Sequence, residues 1–244
     1  MDAACGGSSG DGILACYDSS TETMVVPGEE ISASTGGVTT AYVIAHEYGH
    51  HVAANRSNAP FSSMAFGPKR WASRELVCLK TDQRLLWPGD EGSHYAANPG
   101  ESWAETYARL TFPAQPWTFT SLLRPDAAAL AAARADVQTP WTARTVKTFR
   151  GTFSRTGNVR RRAAKVTLTL DGAFSMRLRG PATAQYDLAI DTDDGTHEQT
   201  TARGAQDAVS YQAACRGKQR ERVTVTVVRR SGSGPYALTV RYAG

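Results

Sequence analysis

The chain has 244 residues, of which 41% are hydrophobic and 20% charged, with a formal net charge of +4. Such a composition fits one or two folded domains and excludes wholesale disorder, and no apolar run approaches the roughly eighteen residues of a membrane span. The net charge hides a split: residues 1–141 carry 9 Lys/Arg against 15 Asp/Glu, a net of −6, while residues 142–244 carry 18 against 8, a net of +10. Taken in chain order, residues 13–17 and 23–27 read as two extended segments joined by a polar turn. A Gly/Ser loop fills 28–38. A helix is predicted from Thr39 or Thr40, both good N-caps, to about Ala54, where Asn55, Asn58 and Pro60 stop it. A second helix is predicted over 70–81, extending toward Leu86, with a loop at Trp87-Pro88-Gly89. Asn98-Pro99-Gly100-Glu101 is a helix start, with Asn98 as cap, Pro99 in the first turn and Glu101 at capping-box spacing. This third helix is predicted over 99–111, and Pro113 and Pro116 end it. An Ala-rich helix follows over 126–137 with Asp126 as cap. Beyond Trp141 the period changes from helical to alternating. Seven strands are predicted at 146–153, 164–170, 174–178, 186–190, 208–211, 223–228 and 236–242, which amounts to a β-sandwich.

Four cysteines, Cys5, Cys16, Cys78 and Cys215, contain no CxxC pair, which argues against a structural zinc site. They read as disulfides of a secreted or extracellular protein. A local Cys5–Cys16 bridge would leave Cys78 with Cys215, but three pairings are open. Met1-Asp2-Ala3-Ala4 has neither the basic nor the apolar region of a signal peptide, so the chain is expected to begin inside a longer precursor. Arginine outnumbers lysine 22 to 5. Solvated arginines on strands and loops account for that excess. An anionic partner for the basic segment is the sharper alternative. The tight cluster Arg160-Arg161-Arg162, with Lys165 nearby, lacks interleaved aromatics, so no nucleic-acid partner is expected. Asp191-Thr192-Asp193-Asp194 offers oxygen ligands for Ca²⁺, with a plain acidic turn as the simpler reading.

The chemistry lies in His46-Glu47-Tyr48-Gly49-His50, an HExxH string on a predicted helix. Spacing of i and i+4 places both imidazoles on one helical face, where they can share one Zn²⁺. Glu47 beside them suits a general base that takes a proton from water and returns it to a leaving amine. His51 points about 100° away from His50 and is not expected to be a ligand. A catalytic zinc takes three protein ligands. The metzincin pattern fails, because Ala53 and Arg56 stand where it requires Gly and His. Glu101-Ser102-Trp103-Ala104-Glu105 supplies instead a carboxylate pair at i and i+4. Glu101 can bind the metal, and Glu105 can accept a hydrogen bond from the far nitrogen of a ligand histidine.

His46-Glu47-Tyr48-Gly49-His50, followed some fifty residues later by Glu101-x-x-Ala104-Glu105, resembles the gluzincin zinc metallopeptidases, and more narrowly a group of zinc-binding bacterial metallopeptidases. The same second-helix pattern is found in the catalytic domain of anthrax lethal factor. The resemblance covers residues 13–112. It implies that Glu101 is the third ligand and that Tyr95, shortly before it, donates to the oxyanion, with His94 as second choice. Gluzincins carry more sheet ahead of the HExxH helix than the 45 residues found here. The second segment resembles the bacterial pre-peptidase C-terminal domain, through Tyr186-Asp187-Leu188 and residues 232–240. The expectation is therefore an α+β zincin-like metallopeptidase domain, 1–141, followed by an all-β sandwich, 142–244, acting on peptide or protein substrates with one catalytic zinc. The alternative is a catalytically silent zinc-binding domain whose basic sandwich binds a surface or anionic polymer.

Overall fold

The computed structural model describes residues 5, 13–31, 38–193, 195–200, 206–211 and 215–244. It divides into two compact units, Met1–Thr142 and Ala143–Gly244. The chain is mixed α and β, and its sheets are antiparallel. Most of the Gly/Ser loop of 28–38, and the first four residues, lie outside the described residues.

In the first unit, β1 (Cys16–Asp18) and β2 (Thr23–Val25) form a two-stranded ribbon. Helix α1 (Thr40–Ala54) starts at Thr39, whose hydroxyl accepts from the Tyr42 amide at 3.2 Å. Helix α5 (Pro99–Ala108) starts at Asn98, whose side-chain oxygen accepts from the Gly100 and Gly89 amides. It stops at Ala108, a turn earlier than proline spacing suggested. Helix α6 (Ala127–Gln138) is capped by Asp126, which accepts from the Ala129 amide at 2.7 Å. Three short helices lie between, α2 (Ser63–Phe66), α3 (Lys69–Arg74) and α4 (Val77–Asp82).

The single helix expected over 70–81 is therefore two. They part at Leu76, whose φ of 52° is left-handed. One straight helix would set Trp71 and Val77 about 120° apart around its axis. Both are fully buried in the same core, so the break lets each reach it. No Gly or Pro marks the place.

The core of this unit gathers Val52, Trp71, Val77, Trp103, Leu123 and Ala133. Helices α1 and α5 cross at Gly49. A Cβ there would stand 2.7 Å from the Ala104 Cα, so only glycine permits this approach. The Trp103 indole N–H closes the contact by donating to the Gly49 carbonyl at 2.8 Å. Two buried charges hold the outer helices: Lys69 donates to the Asn58 and Ala59 carbonyls, and Asp136 accepts from the Arg70 and Trp71 amides.

The second unit is two four-stranded sheets. One has the order β3 (Thr145–Phe153), β10 (Gly234–Tyr242), β5 (Phe174–Arg179), β8 (Gln206–Tyr211). The other runs β4 (Arg161–Leu168), β9 (Glu221–Ser231), β6 (Gln185–Thr192), β7 (His197–Gln199). Alternating residues from both enter one core, such as Met176, Leu178, Leu238 and Val240 from the first and Leu188, Val223, Val225 and Val227 from the second. That shared core makes the unit a sandwich. The three-residue β7 carried no alternation signal, since its residues are all exposed. Arg216 and Asp171 form a buried ion pair at 2.9 Å.

All four cysteines are oxidised. Cys5 is bonded to Cys16, and Cys78 and Cys215 are likewise disulfide-bonded. Two disulfides are consistent with an extracellular protein. Among the described residues no helix is long and apolar enough to cross a membrane.

Candidate metal centre

Helix α1 presents Tyr42, His46 and His50 at successive turns toward α5, which presents Glu101 and Glu105 one turn apart. The contact at Gly49 brings the two rows together. His46 Nε2 lies 3.1 Å from Glu101 Oε2, and His50 Nε2 lies 3.2 Å from Glu101 Oε1. One carboxylate thus faces both imidazoles, one oxygen to each. Among the described residues, these three form the grouping able to hold a metal ion, their ligand atoms within 4.8 Å of one another. Glu101, spaced like a capping-box residue, turns to the histidines instead.

The other nitrogen of His46, Nδ1, lies 3.4 Å from Glu105 Oε2. The second Glu105 oxygen accepts from the Tyr42 hydroxyl. Tyr42 carries no motif signal, yet it stands four residues before His46, and the spacing that pairs His46 with His50 predicts it on the same face. Phe119 stacks on the His46 ring at 6.1 Å between centroids and 16° between planes. It comes from an irregular segment, where no periodicity could announce it.

Burial and charge set the proton positions. Burial pushes the His46 imidazole down, but its hydrogen bonds to Glu101 and Glu105 outweigh it and lift it to about 10. Burial pushes the Glu101 carboxyl up, while the two histidines hold it well below the usual carboxylate range. The His46 imidazole therefore keeps a proton facing a carboxylate. Two imidazole nitrogens and one carboxylate converge at the spacing of a shared ion. With an ion at Nε2, the Nδ1–H of His46 still donates to Glu105. The residues present fit a divalent metal with nitrogen and oxygen ligands.

Glu47 is buried on α1 between the two histidines in sequence. Burial pushes its carboxyl up, and the neighbouring histidines pull it partly back. Glu47, His46, His50 and Glu101 all line one cleft of about 860 Å³, whose apolar wall includes Leu14, Val43, Met64 and Phe119. Tyr95 lines the same cleft, and its hydroxyl donates to Glu101 Oε2 at 2.7 Å. Burial and the Glu101 charge push its phenol above the usual range.

The remaining candidates sit elsewhere. His94 hydrogen-bonds Asp90 at 2.9 Å and stacks on Trp87 at 4.2 Å. The Nδ1 atom of His51 lies 3.2 Å from the Tyr17 hydroxyl. In the Asp191–Asp194 turn, Asp191 pairs with His197 at 2.6 Å and Asp193 with Lys218 at 2.8 Å, and Asp194 lies outside the described residues.

No protein-family model and no curated protein matches the chain. Among solved structures, the chain is similar to the pre-peptidase C-terminal domain of collagenase from Bacillus anthracis, at 12% identity over 38% of this chain and 87% of that one, with a TM-score of 0.33. It is also similar to a family two carbohydrate esterase from Cellvibrio japonicus, at 11% identity over 41% of this chain, with a TM-score of 0.20. The chain spans 34% of the esterase.

Proposed function

We propose that the chain is a secreted zinc-dependent peptidase of the gluzincin kind. Its metal-binding domain, residues 1–141, is read as zincin-like, and residues 142–244 as a pre-peptidase C-terminal-like sandwich. The observation that carries this reading is the convergence of His46, His50 and Glu101 within 4.8 Å on the wall of a cleft that Glu47 also lines. His46 Nε2, His50 Nε2 and the Glu101 carboxylate would hold the zinc. A bound zinc ion supplies Lewis acidity and lowers the pKa of water from about 15.7 to about 7.

The chain's own residues do the rest. Glu47, raised by burial, accepts the proton of the attacking water and passes it to the leaving amine. Glu105 fixes the His46 tautomer by accepting from Nδ1. Tyr42 in turn holds Glu105. Tyr95 places a phenolic donor at the Glu101 carboxylate and is poised for the oxyanion. The cleft's apolar wall binds peptide and excludes water.

The test is Glu47→Gln, which keeps the carboxylate's size and removes its basicity. The variant should hold one zinc per chain, like the parent, and cleave denatured protein on the order of 10²- to 10⁴-fold more slowly. Absence of stoichiometric zinc in the parent, or equal cleavage by the variant, would overturn the reading.

A further inference from the structure

The sandwich carries the chain's positive charge, and strand register locates much of it. In antiparallel pairs, directly opposed residues share a face. Arg150 opposes Ala237, which opposes Arg179. Thr239 opposes Arg177, and Arg241 opposes Ser175. The inward face of these strands is fixed by buried Met176, Leu178, Leu238 and Val240. Arg150, Arg177, Arg179 and Arg241 therefore lie together on the outer face of β3, β10 and β5, and all four are exposed. The other positions of this face hold Thr, Ser and Ala, with Val146 opposite Arg241 and Pro235 opposite Thr152, and no position of those three strands on this face is Asp or Glu.

The density is high. Arg177 and Arg179, two apart on one strand, stand about 7 Å from each other, and Arg150 and Arg179, flanking β10, about 10 Å. Physiological screening acts over about 8 Å, so the four charges make one field. Three other cations of this unit pair with acids: Arg230 with Asp187, Lys218 with Asp193 and Arg216 with Asp171. The outer face of β4, β9 and β6 bears both signs, with Arg161 and Lys165 beside Asp187 and Asp191.

We propose that the outer face of β3, β10 and β5 is a docking surface for an acidic polysaccharide. Guanidinium groups pair with carboxylate or sulfate through two parallel hydrogen bonds. Small residues at Ala237, Thr239 and Ser175 leave room between the arginines for an extended chain to reach several of them. No aromatic side chain stands among these positions to stack a base, and the two disulfides are consistent with an extracellular setting.

The full chain should bind dextran sulfate and polygalacturonate, and not neutral dextran. Affinity should fall with salt at a slope near −3 in log K against log concentration, as about four neutralised charges require. Arg150→Gln with Arg179→Gln and Arg241→Gln should weaken dextran sulfate on the order of tenfold or more and cut the slope by about 2. A charge-matched control, Arg161→Gln with Lys165→Gln and Arg222→Gln, should bind nearly as the parent. Equal retention on neutral dextran overturns the proposal. So does an unaffected triple variant, or a control that loses as much. Tighter binding of duplex DNA than of dextran sulfate at equal salt would replace the polysaccharide with nucleic acid.

Discussion

Each unit buries charged side chains, and the cleft of the helical unit treats them in the opposite way to the sandwich. In the sandwich, the buried Arg216 is matched to Asp171 and closed off by further bonds to its own neighbourhood. Asp187 receives Arg230 in the same manner. In the helical unit, Glu47, Glu101, Glu105 and His50 are buried around a cleft with no Lys or Arg among its described lining residues. A buried charge is costly unless it is paired. The sandwich satisfies its charges internally, at fixed sites. The α1–α5 pair gathers carboxylates and imidazoles whose mutual bonds depend on shared protons, which a metal ion can replace. Charge that is matched serves the fold, whereas charge that converges on open space points to a ligand.

Four measurements sharpen or break that contrast. The largest effect is expected at the matched pair. Asp171→Ala leaves Arg216 buried without its carboxylate, and stability should fall by about 3–5 kcal/mol, read by denaturant unfolding. A loss under 1 kcal/mol would mean that the pair is replaceable and the contrast is overstated. Second, zinc at about a hundredfold over its Kd should stabilise the helical unit by about 2.7 kcal/mol, seen by calorimetry with and without chelator. His50→Ala should abolish the response. The sandwich should not respond; if it does, the convergent site is not the only one. Third, Gly49→Ala forces a methyl against the Ala104 backbone. It should cost about 1–3 kcal/mol and weaken zinc, measured by competition with a chromophoric chelator. Zinc affinity unchanged despite lost stability would detach the site from the helix contact. Smallest, Asn98→Ala removes the cap of α5 and should cost about 1 kcal/mol. Its effect on zinc should be slight, because Glu101 and Glu105 are held by their partners on α1.

Much of this was legible because local chemistry and tertiary structure agree. Thr39, Asn98 and Asp126 each cap the helix their residue type announces. Strands β5, β9 and β10 follow their alternation, since one face of each meets a core. Spacing alone put His46 and His50 on one face, and put Glu101 and Glu105 on another. That the two faces meet was beyond helical spacing: it depends on Gly49, which reads locally as a poor helix residue. The break at Leu76 was hidden for the mirror reason. The core demands it, and nothing in the local sequence favours a left-handed residue there. Phe119 and the short α2 and β7 were silent because segments without a repeating buried face leave no period to detect.

The contact at Gly49 has a consequence for how an ion would be received. With no side chain between them and an indole latched across, α1 and α5 cannot slide past each other without breaking the core around Trp103. The ligand rows are therefore set when the chain folds. An arriving ion meets donors that have already lost their conformational freedom, so little entropy remains to be surrendered on binding. Rigidity of this kind favours an ion by shape as much as by affinity: a cation that needs more ligands or longer bonds would have to pull two helices apart to be held.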